Sequence, residues 1–311
     1  MSKYTETGLS TVAELDFAKA DVFTEEPYEG TPAGVVFEAD ELDEMQMQRI
    51  AFEMGSSATA FVLRSRKADV RLRYFSPFAE DPLSGHATLG ALWCLADRRA
   101  FGASPGGRRR LETQVGILPF SIDAAAEEIH RVWMTQKRPM FAREGDEKEV
   151  ASALGIGVDS LFYDKFPLSR ASTGIPFLLV PVRSIDIIGR LEPKHDEVVE
   201  LSRELDVAGI EVYSWGVLER GSTVHARSYL PMTSLPEDPA NGMAAGALAA
   251  YIVENEFIPR EKFESIVIEQ GHWVGRPSKI LARIEKKGSN IRRVEVGGTS
   301  RVSCRGRLTV P

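Results

Sequence analysis

Two acidic turns carry the side chains in this sequence that could move protons. The segment Glu80 to Ala87 reads EDPLSGHA, and the segment Glu237 to Ala244 reads EDPANGMA. Glu, Asp, Pro, Gly and the final Ala match position for position, at an offset of 157 residues (237 minus 80). The first turn contains Asp81 and His86, and the second contains Asp238. Carboxyl and imidazole groups are typical acid/base catalysts, so the repeat predicts proton-transfer chemistry.

Each turn leads into an apolar run of small residues, which is typical of a buried helix. The first NH groups of a helix have no partner within it and carry partial positive charge, so they can bind a carboxylate. We therefore expect Gly85 and Gly242, with the residue after each, to hold an anionic substrate without a metal or coenzyme. Ser84 and Asn241 precede these glycines and could hydrogen-bond the same ligand, although such residues are more often simply part of the turn.

The composition narrows the class of protein. A chain of 311 residues favours two domains. The net charge of −7, without a basic face, argues against nucleic acid as a partner. No apolar stretch approaches the roughly 20 residues that span a membrane, and residues 1–12 look like a loose polar tail rather than a signal peptide. Cys94 and Cys304 lack the spacing of a disulfide framework or metal site, which favours the cytoplasm.

The periodicity predicts an α+β fold with many short, mostly antiparallel strands around one long helix in each half. The long helices begin near His86 and Met243, and Asp40 is expected to cap another helix that ends at Met54. The dense basic run Arg108-Arg109-Arg110 follows two glycines and predicts a solvated hairpin tip, with a dimer contact or an anion site as alternatives. Strands are expected at Val35 to Phe37, Thr59 to Leu63, Val70 to Tyr74, Gly116 to Phe120, Arg131 to Met134, Phe177 to Val180, Glu211 to Tyr213, Ile266 to Ile268, Ile280 to Ile284 and Val294 to Val296.

An ordered set of segments resembles the PhzF family of phenazine-biosynthesis-like proteins, within the diaminopimelate epimerase-like fold. The resemblance implies two pseudo-symmetric lobes, an active site between them, a homodimer and cofactor-free proton transfer on a small carboxylate-bearing substrate. We assign residues 1–138, completed by about 295–311, to the first lobe and 139–294 to the second. The segments are Asp21 to Thr24, Gly30 to Pro32, Ser57 to Phe61, Glu80 to Gly90, Ser172 to Phe177, Glu237 to Ala247, Gln270 to Ser278 and Val296 to Gly298.

The resemblance also implies roles for single residues. His86 and Asp238 match the family's His and Asp, which makes Asp238 the expected acid/base and His86 its relay or orienting group. The family's glutamate, within a Ser-Glu-Thr-Ala-Phe motif, is Ala58 here, and a methyl group cannot carry a proton. Met243 replaces a family Ser. The related two-thiol epimerases place cysteines where this chain has Ser84 and Asn241, so their chemistry is not expected.

Each of these assignments has a structural alternative. Asp238 and Asp81 could merely cap helices, and His86 could be a satisfied histidine in a first helical turn. Met243 and Ala58 together suggest an apolar pocket wall. Met243 could instead serve only to fill space in the core. Asp81 could be a second carboxylate in the cleft. Glu53 and Glu80 are near the site in sequence, but Glu53 is expected on a solvated helix face.

The leading functional expectation is a cofactor-independent isomerase, epimerase or lyase. With one acid/base residue it could move a proton on one face of the substrate but not invert a centre with two bases. A retired enzyme scaffold that binds a metabolite or partner is the alternative, as is a rearrangement enzyme with an apolar pocket. No metal is expected, because the histidines show no ligand spacing. The turn Gly275 to Ser278 is expected to brace the lobes, although Arg276 could instead contact an anion.

Overall fold

The structure is a computed structural model that describes residues 14–102, 106–125, 128–231 and 237–311, so the expected tail at residues 1–12 lies outside the described residues. No helix within these ranges is both long and apolar enough to cross a membrane. The α-helices are α1 (Glu44–Met54), α2 (Gly85–Asp97), α3 (Glu147–Ala153), α4 (Ile185–Gly189), α5 (His195–Glu204) and α6 (Gly242–Glu254). Short 3-10 turns occur at Ala39–Glu41, Val158–Ser160, Arg260–Lys262 and His272–Val274.

The strands join into one continuous hydrogen-bonded system. They are β1 (Glu14–Val22), β2 (Thr31–Val36), β3 (Ala58–Leu63), β4 (Val70–Phe75), β5 (Glu80–Asp81), β6 (Gly107–Thr113), β7 (Gly116–Ala125), β8 (Glu128–Thr135), β9 (Met140–Arg143), β10 (Ser169–Ser172), β11 (Pro176–Pro181), β12 (Ile210–Ser214), β13 (Val224–Tyr229), β14 (Ile266–Gln270), β15 (Ser278–Lys287), β16 (Asn290–Gly298) and β17 (Ser300–Thr309). Together with the few helices, this gives the expected α+β class.

The strands of the first half wrap around α2. Strand β1 pairs antiparallel with both β2 and β17, so the end of the chain returns to its beginning. Strands β2 and β3 are parallel, β3 and β4 antiparallel, and β6, β7 and β8 form an antiparallel meander beside β4. Every residue of α2 except His86 and Asp97 is buried, which explains why its sequence is apolar nearly all round.

The second half wraps around α6 in a similar way. Strands β9 to β16 pair in sequence order, with parallel contacts at β11–β12 and β13–β14. Strand β16 also pairs with β8, which joins the two halves. The small residues of α6 allow close approach: a Cβ at Gly246 would lie 1.9 Å from Oε1 of Gln136, so a side chain there would displace its neighbour.

The repeated glutamates hold the two acidic turns in equivalent ways. Glu80 receives two hydrogen bonds from Arg73 of β4, at 2.6 and 2.7 Å. Glu237 receives two from Arg227 of β13, at 3.0 and 2.6 Å. Such two-point contacts fix both the position and the orientation of a carboxylate. Each turn is thereby attached to the strand that precedes it.

The turn around Arg276 connects the two halves. Its guanidinium donates to the carbonyl oxygens of Gly30 and Glu29, at 2.5 and 2.8 Å, and to Oδ1 of Asp21 at 2.7 Å. These contacts fit the expectation that this turn braces the two lobes, rather than the alternative that Arg276 contacts an anion.

Two local predictions were wrong. Asp40 does not cap α1; Asp43 does, because its carboxylate accepts the Gln46 NH at 2.8 Å while the Gln46 side chain accepts the Asp43 NH, a reciprocal cap. The arginines 108–110 do not form a hairpin tip but lie within β6. Arg109 is partly buried there because its guanidinium covers the ring of Phe101, 4.9 Å from the ring centre.

Candidate active site

A cleft of about 510 Å³ lies where the first turns of α2 and α6 meet. A Cβ placed on Gly85 would be only 4.0 Å from Cγ of Met243, so the two helix starts are neighbours. Every site residue expected from the sequence lines this cleft: Ala58, Asp81, Ser84, Gly85, His86, Asp238, Asn241, Gly242 and Met243. Sequence reasoning had not assigned site roles to Ser57, Phe78, Ile175 and Leu230, which line it as well.

The start of α6 is capped by its own N-cap residue. Oδ1 of Asn241 accepts hydrogen bonds from the NH groups of Met243 and Ala244, at 3.1 and 2.9 Å. This differs from the expectation that the NH groups at Gly242 and Met243 would be free for a substrate. The physical reason is that an Asn side chain in extended backbone reaches the second and third NH groups of its own helix.

The start of α2 lacks this cap. Ser84 is the N-cap residue, with φ −128° and ψ 120°, and its hydroxyl accepts no hydrogen bond from the helix. The Thr88 NH is satisfied by the Ser84 carbonyl at 3.0 Å, whereas the NH groups of His86 and Ala87 receive no cap from Ser84. This end of α2 is therefore the better anion-binding group of the two.

Several hydrogen bonds hold Asp238 in place at the edge of the cleft. Its Oδ1 accepts from the Ala240 NH at 3.1 Å and from the Thr31 hydroxyl at 3.4 Å, and its Oδ2 accepts from Nδ2 of Asn241 at 3.0 Å. Its backbone NH donates to the Ser228 carbonyl at 2.9 Å. Because Asn241 caps α6, Asp238 is not the capping residue, which was its structural alternative.

His86 faces Asp238 from the first half of the chain. Its Nε2 lies 3.2 Å from the Ser57 hydroxyl, the residue just before Ala58. Burial lowers the pKa of His86, and the negative charge of Asp238 opposes that effect in part. A lowered pKa keeps the imidazole neutral at neutral pH, so that it can accept a proton. Apart from its place in the segment Ser57 to Phe61, nothing in the sequence indicated that Ser57 would contact His86.

The other carboxylates near the site differ from one another. Asp81 lines the cleft, and burial together with the charge of Glu80 raises its pKa. Glu80 forms a salt bridge with Arg73, and Glu53 is exposed on α1. Neither glutamate lines the cleft, so neither supplies the base that is expected to be missing at Ala58.

One wall of the cleft is apolar and partly open to solvent. Phe78 is 74% exposed on the turn that follows β4, and Ile175 is 38% exposed on the other half of the chain. Leu83, Leu230 and Met243 lie along the same cleft. A ligand with a carboxylate at α2 and an apolar body along this wall would match both sets of groups.

The alternatives to this site among the described residues would be a metal centre or a second cleft. Among the described residues, no group of three or more His, Cys, Asp or Glu side chains could hold a metal ion. A larger cleft of about 700 Å³ lies elsewhere, beside Glu219, His272 and Lys279. None of the expected site residues lines that larger cleft, so the smaller one is the candidate active site.

Comparison with known proteins agrees with this architecture. The family described as phenazine biosynthesis-like protein (PhzC-PhzF) matches residues 20–306. A trans-2,3-dihydro-3-hydroxyanthranilate isomerase of Pseudomonas fluorescens is 34% identical, covering 93% of this chain and 98% of its own. An uncharacterized isomerase of Deinococcus radiodurans is 36% identical, covering 93% of each chain.

The solved structures show the same fold. The crystal structure of a PhzF-family phenazine biosynthesis protein of Bacillus anthracis has a TM-score of 0.85 and 28% identity, covering 96% of this chain and all of that one. A hydroxyproline epimerase of Agrobacterium vitis shares the fold at a TM-score of 0.60 and 13% identity, covering 95% of this chain and 91% of that one. The chain therefore belongs to the phenazine biosynthesis-like (PhzC-PhzF) family and is an isomerase by that relationship.

Proposed function

We propose that this protein is a cofactor-independent isomerase that moves a proton within a small carboxylate-bearing metabolite, with Asp238 as acid/base and His86 as its partner. The observation that supports this most is the meeting of three features in one cleft: the uncapped start of α2, the anchored Asp238 carboxylate and the His86 imidazole. Together they can hold an anion and exchange a proton with it.

The reaction would begin with the substrate carboxylate on the NH groups of His86 and Ala87. Asp238, as the carboxylate, removes a proton from a substrate carbon, exchanges it with solvent in the open cleft and delivers a proton to another carbon on the same face. The α2 dipole stabilises the charge that develops near the carboxylate. Neutral His86, hydrogen-bonded to Ser57, orients the substrate or relays the proton. Ala58 offers no second base, so a shift on one face is favoured over two-base inversion.

The cleft also favours a substrate with an apolar body. Phe78 and Ile175 line it from the two halves of the chain, and so does Met243, which the family resemblance implies replaces a Ser. The relatives act, by their names, on trans-2,3-dihydro-3-hydroxyanthranilate. For this chain we propose a cyclic carboxylate of similar or larger size and less polar character.

Deuterium incorporation tests the proposal. The protein is incubated in D₂O with trans-2,3-dihydro-3-hydroxyanthranilate and with a set of cyclohexene and cyclohexadiene carboxylates, and NMR detects deuterium at carbon. We expect incorporation with the wild type, its loss in Asp238→Asn, and wild-type rates in Glu53→Gln, which changes an exposed carboxylate on α1. Incorporation at the wild-type rate in folded Asp238→Asn would remove Asp238 from the mechanism.

The remaining expectations are part of the same proposal. The proposed steps require acid/base groups and helix NH groups alone, so activity should survive dialysis against EDTA. Activity that is lost on dialysis and restored by a metal ion would contradict the proposed metal-free mechanism.

We also propose that the protein is a homodimer. Light scattering on the purified protein tests this, and a monomer at micromolar concentration would overturn it. The cytoplasmic location stays a prediction.

A further inference from the structure

A buried carboxyl group, Glu211, lies behind the candidate active site and has no role in the steps above. It belongs to β12, and its side chain is completely buried. Neither of its carboxyl oxygens has a hydrogen-bond partner among the described residues. A buried polar group without a partner is costly, which makes an unexplained one a candidate for function.

The strand register places Glu211 in a row with Asp238. Glu211 of β12 is directly opposite Ser228 of β13, and Ser228 is bridged on its other side to Asp238. Residues directly opposite in antiparallel pairs project from the same face, with Cβ atoms about 4.5–5.5 Å apart. Ser228 therefore stands between the two carboxyl groups.

The same face of the sheet covers α6. Tyr213, two residues after Glu211, and Ala226, two before Ser228, both belong to the apolar core around that helix, whereas Ile210 and Val212 pack on the opposite side. The Ser228 hydroxyl is also completely buried and without a hydrogen-bond partner among the described residues. This hydroxyl can rotate about the Cα–Cβ bond, and the cross-strand neighbours of Ser228 are Glu211 on one side and Asp238 on the other.

Burial and the surrounding charges both favour the protonated form of Glu211. Its pKa is raised from 4.5 to about 8, chiefly by burial and in smaller part by the negative charges of Asp238 and Glu237, while the nearby Ser228 hydroxyl, which is outside hydrogen-bond geometry, lowers it in part. The charge of Glu237 is balanced by Arg227. The residue opposite Glu211 on β11 is Leu179, which is apolar, so no cation from that strand favours the ionised form.

We propose that Glu211 is a second proton-holding group of the active site, connected to Asp238 through the Ser228 hydroxyl. The Glu211 proton moves to Oγ of Ser228 as the hydroxyl's own proton moves to an Oδ atom of Asp238. Glu211 becomes the carboxylate and Asp238 the acid, so charge is conserved, and the reverse transfer restores both. Asp238 can then enter the reaction as an acid as well as a base, in a site where Ala58 replaces the family's glutamate.

This inference rests on the proposed role of Asp238, and two variants separate it from that role. Glu211→Gln keeps the shape and neutrality of the protonated acid, so it should fold, but it cannot release a proton. Ser228→Ala removes the connecting hydroxyl and keeps Glu211. Glu53→Gln is the control, since that carboxylate is exposed.

The first measurement needs no substrate. Infrared titration should show the C=O stretch of a protonated carboxylic acid at pH 7 that disappears with a midpoint near pH 8 in the wild type and in Glu53→Gln. The band should be absent in Glu211→Gln. In Asp238→Asn its midpoint should fall, because a negative charge that favours the protonated form is gone. A wild type without the band at pH 7, or an unchanged midpoint in Asp238→Asn, overturns the proposal.

The second measurement uses deuterium incorporation into the carboxylates above across pH 5–9. We expect Glu211→Gln and Ser228→Ala to slow it by a factor on the order of 10² and Glu211→Gln to remove the inflection near pH 8. Wild-type rates and pH profiles in both variants, with incorporation lost in Asp238→Asn, would overturn the relay and leave the proposed function intact. Incorporation that persists in Asp238→Asn would instead refute the proposed function, and the relay with it.

Discussion

Replacement of Ser84 by Asn should convert the open end of α2 into a copy of the capped end of α6. The backbone permits this, since Ser84 (φ −128°, ψ 120°) and Asn241 (φ −103°, ψ 98°) are both extended. An Asn at position 84 can therefore direct its Oδ1 to the NH groups of His86 and Ala87, as Asn241 does to Met243 and Ala244 at 3.1 and 2.9 Å. Ser84 lines the cleft, so the added atoms lie at its wall.

Two opposite effects follow. A formed N-cap is worth about 1 kcal/mol, so Ser84→Asn should raise the free energy of unfolding by that amount and the melting temperature by about 2 °C. The same hydrogen bonds compete with a bound carboxylate. Displacing one charge-assisted hydrogen bond costs at least about 1.5 kcal/mol, so affinity for a carboxylate should fall about tenfold or more.

The assay combines thermal unfolding with titration of benzoate, followed by amide NMR shifts at His86 and Ala87. Benzamide, which has the same ring without the charge, is the ligand control, and Ser84→Ala is the control variant. Ser84→Ala should cost less than about 0.5 kcal/mol, because the Ser84 hydroxyl caps nothing. Stabilisation without loss of benzoate binding, or a wild type that prefers benzamide, would refute the assignment of α2 as the anion site.

Three further outcomes are expected. Glu237→Ala should destabilise the fold by about 3 kcal/mol in urea unfolding, and more than Glu80→Ala, because the Arg227–Glu237 pair is the more buried of the two; equal losses would contradict this. The pKa of Glu211 is raised in the folded state to about 8 from 4.5, so the folded form holds a proton that the unfolded chain releases, and stability should fall as pH rises from about 4.5 to 8. In Glu211→Gln the free energy of unfolding should fall less over this pH range, by up to several kcal/mol. A pH dependence of urea unfolding that is the same in this variant as in the wild type would show that Glu211 is not the group responsible. Burial raises the pKa of Cys94 to about 12, so a thiol reagent should label only exposed Cys304 in the native protein and nothing in Cys304→Ser; a second labelled thiol would contradict this.

The sequence predicted the two central helices well because their composition leaves no alternative. A helix that is apolar around its whole circumference must be buried, and α2 and α6 are. The repeat of the acidic turns also predicted which side chains would share a cleft. Alternation along β4 predicted its half-buried character, since Val70, Leu72 and Tyr74 are buried there and Arg71 is exposed.

Other features had no reliable signal in the sequence. Ser84 and Asn241 occupy equivalent positions and are both good N-cap residues, so residue type alone did not indicate that only Asn241 caps its helix. Arg108 and Arg110 are exposed as expected, but Arg109 is partly buried, because its aliphatic stem and flat guanidinium let it cover Phe101. Glu211 alternates with Ile210 and Val212, a pattern that usually puts the charged residue in solvent. A sheet with α6 on one face and further helices on the other buries both faces.

The duplicated turns are alike in what holds them and unlike in what they can do. Both are fixed by an Arg–Glu pair to the preceding strand, so both helix starts are positioned to similar accuracy. Asn241 then uses its Oδ1 on the NH groups of α6 and its Nδ2 on Asp238, so the contact that closes this helix end also orients the carboxylate. Two open helix ends would bind two anions and leave Asp238 less constrained. Under the proposed function, one open end and one capped end would let the site hold a single carboxylate and present it to Asp238 as the acid/base group.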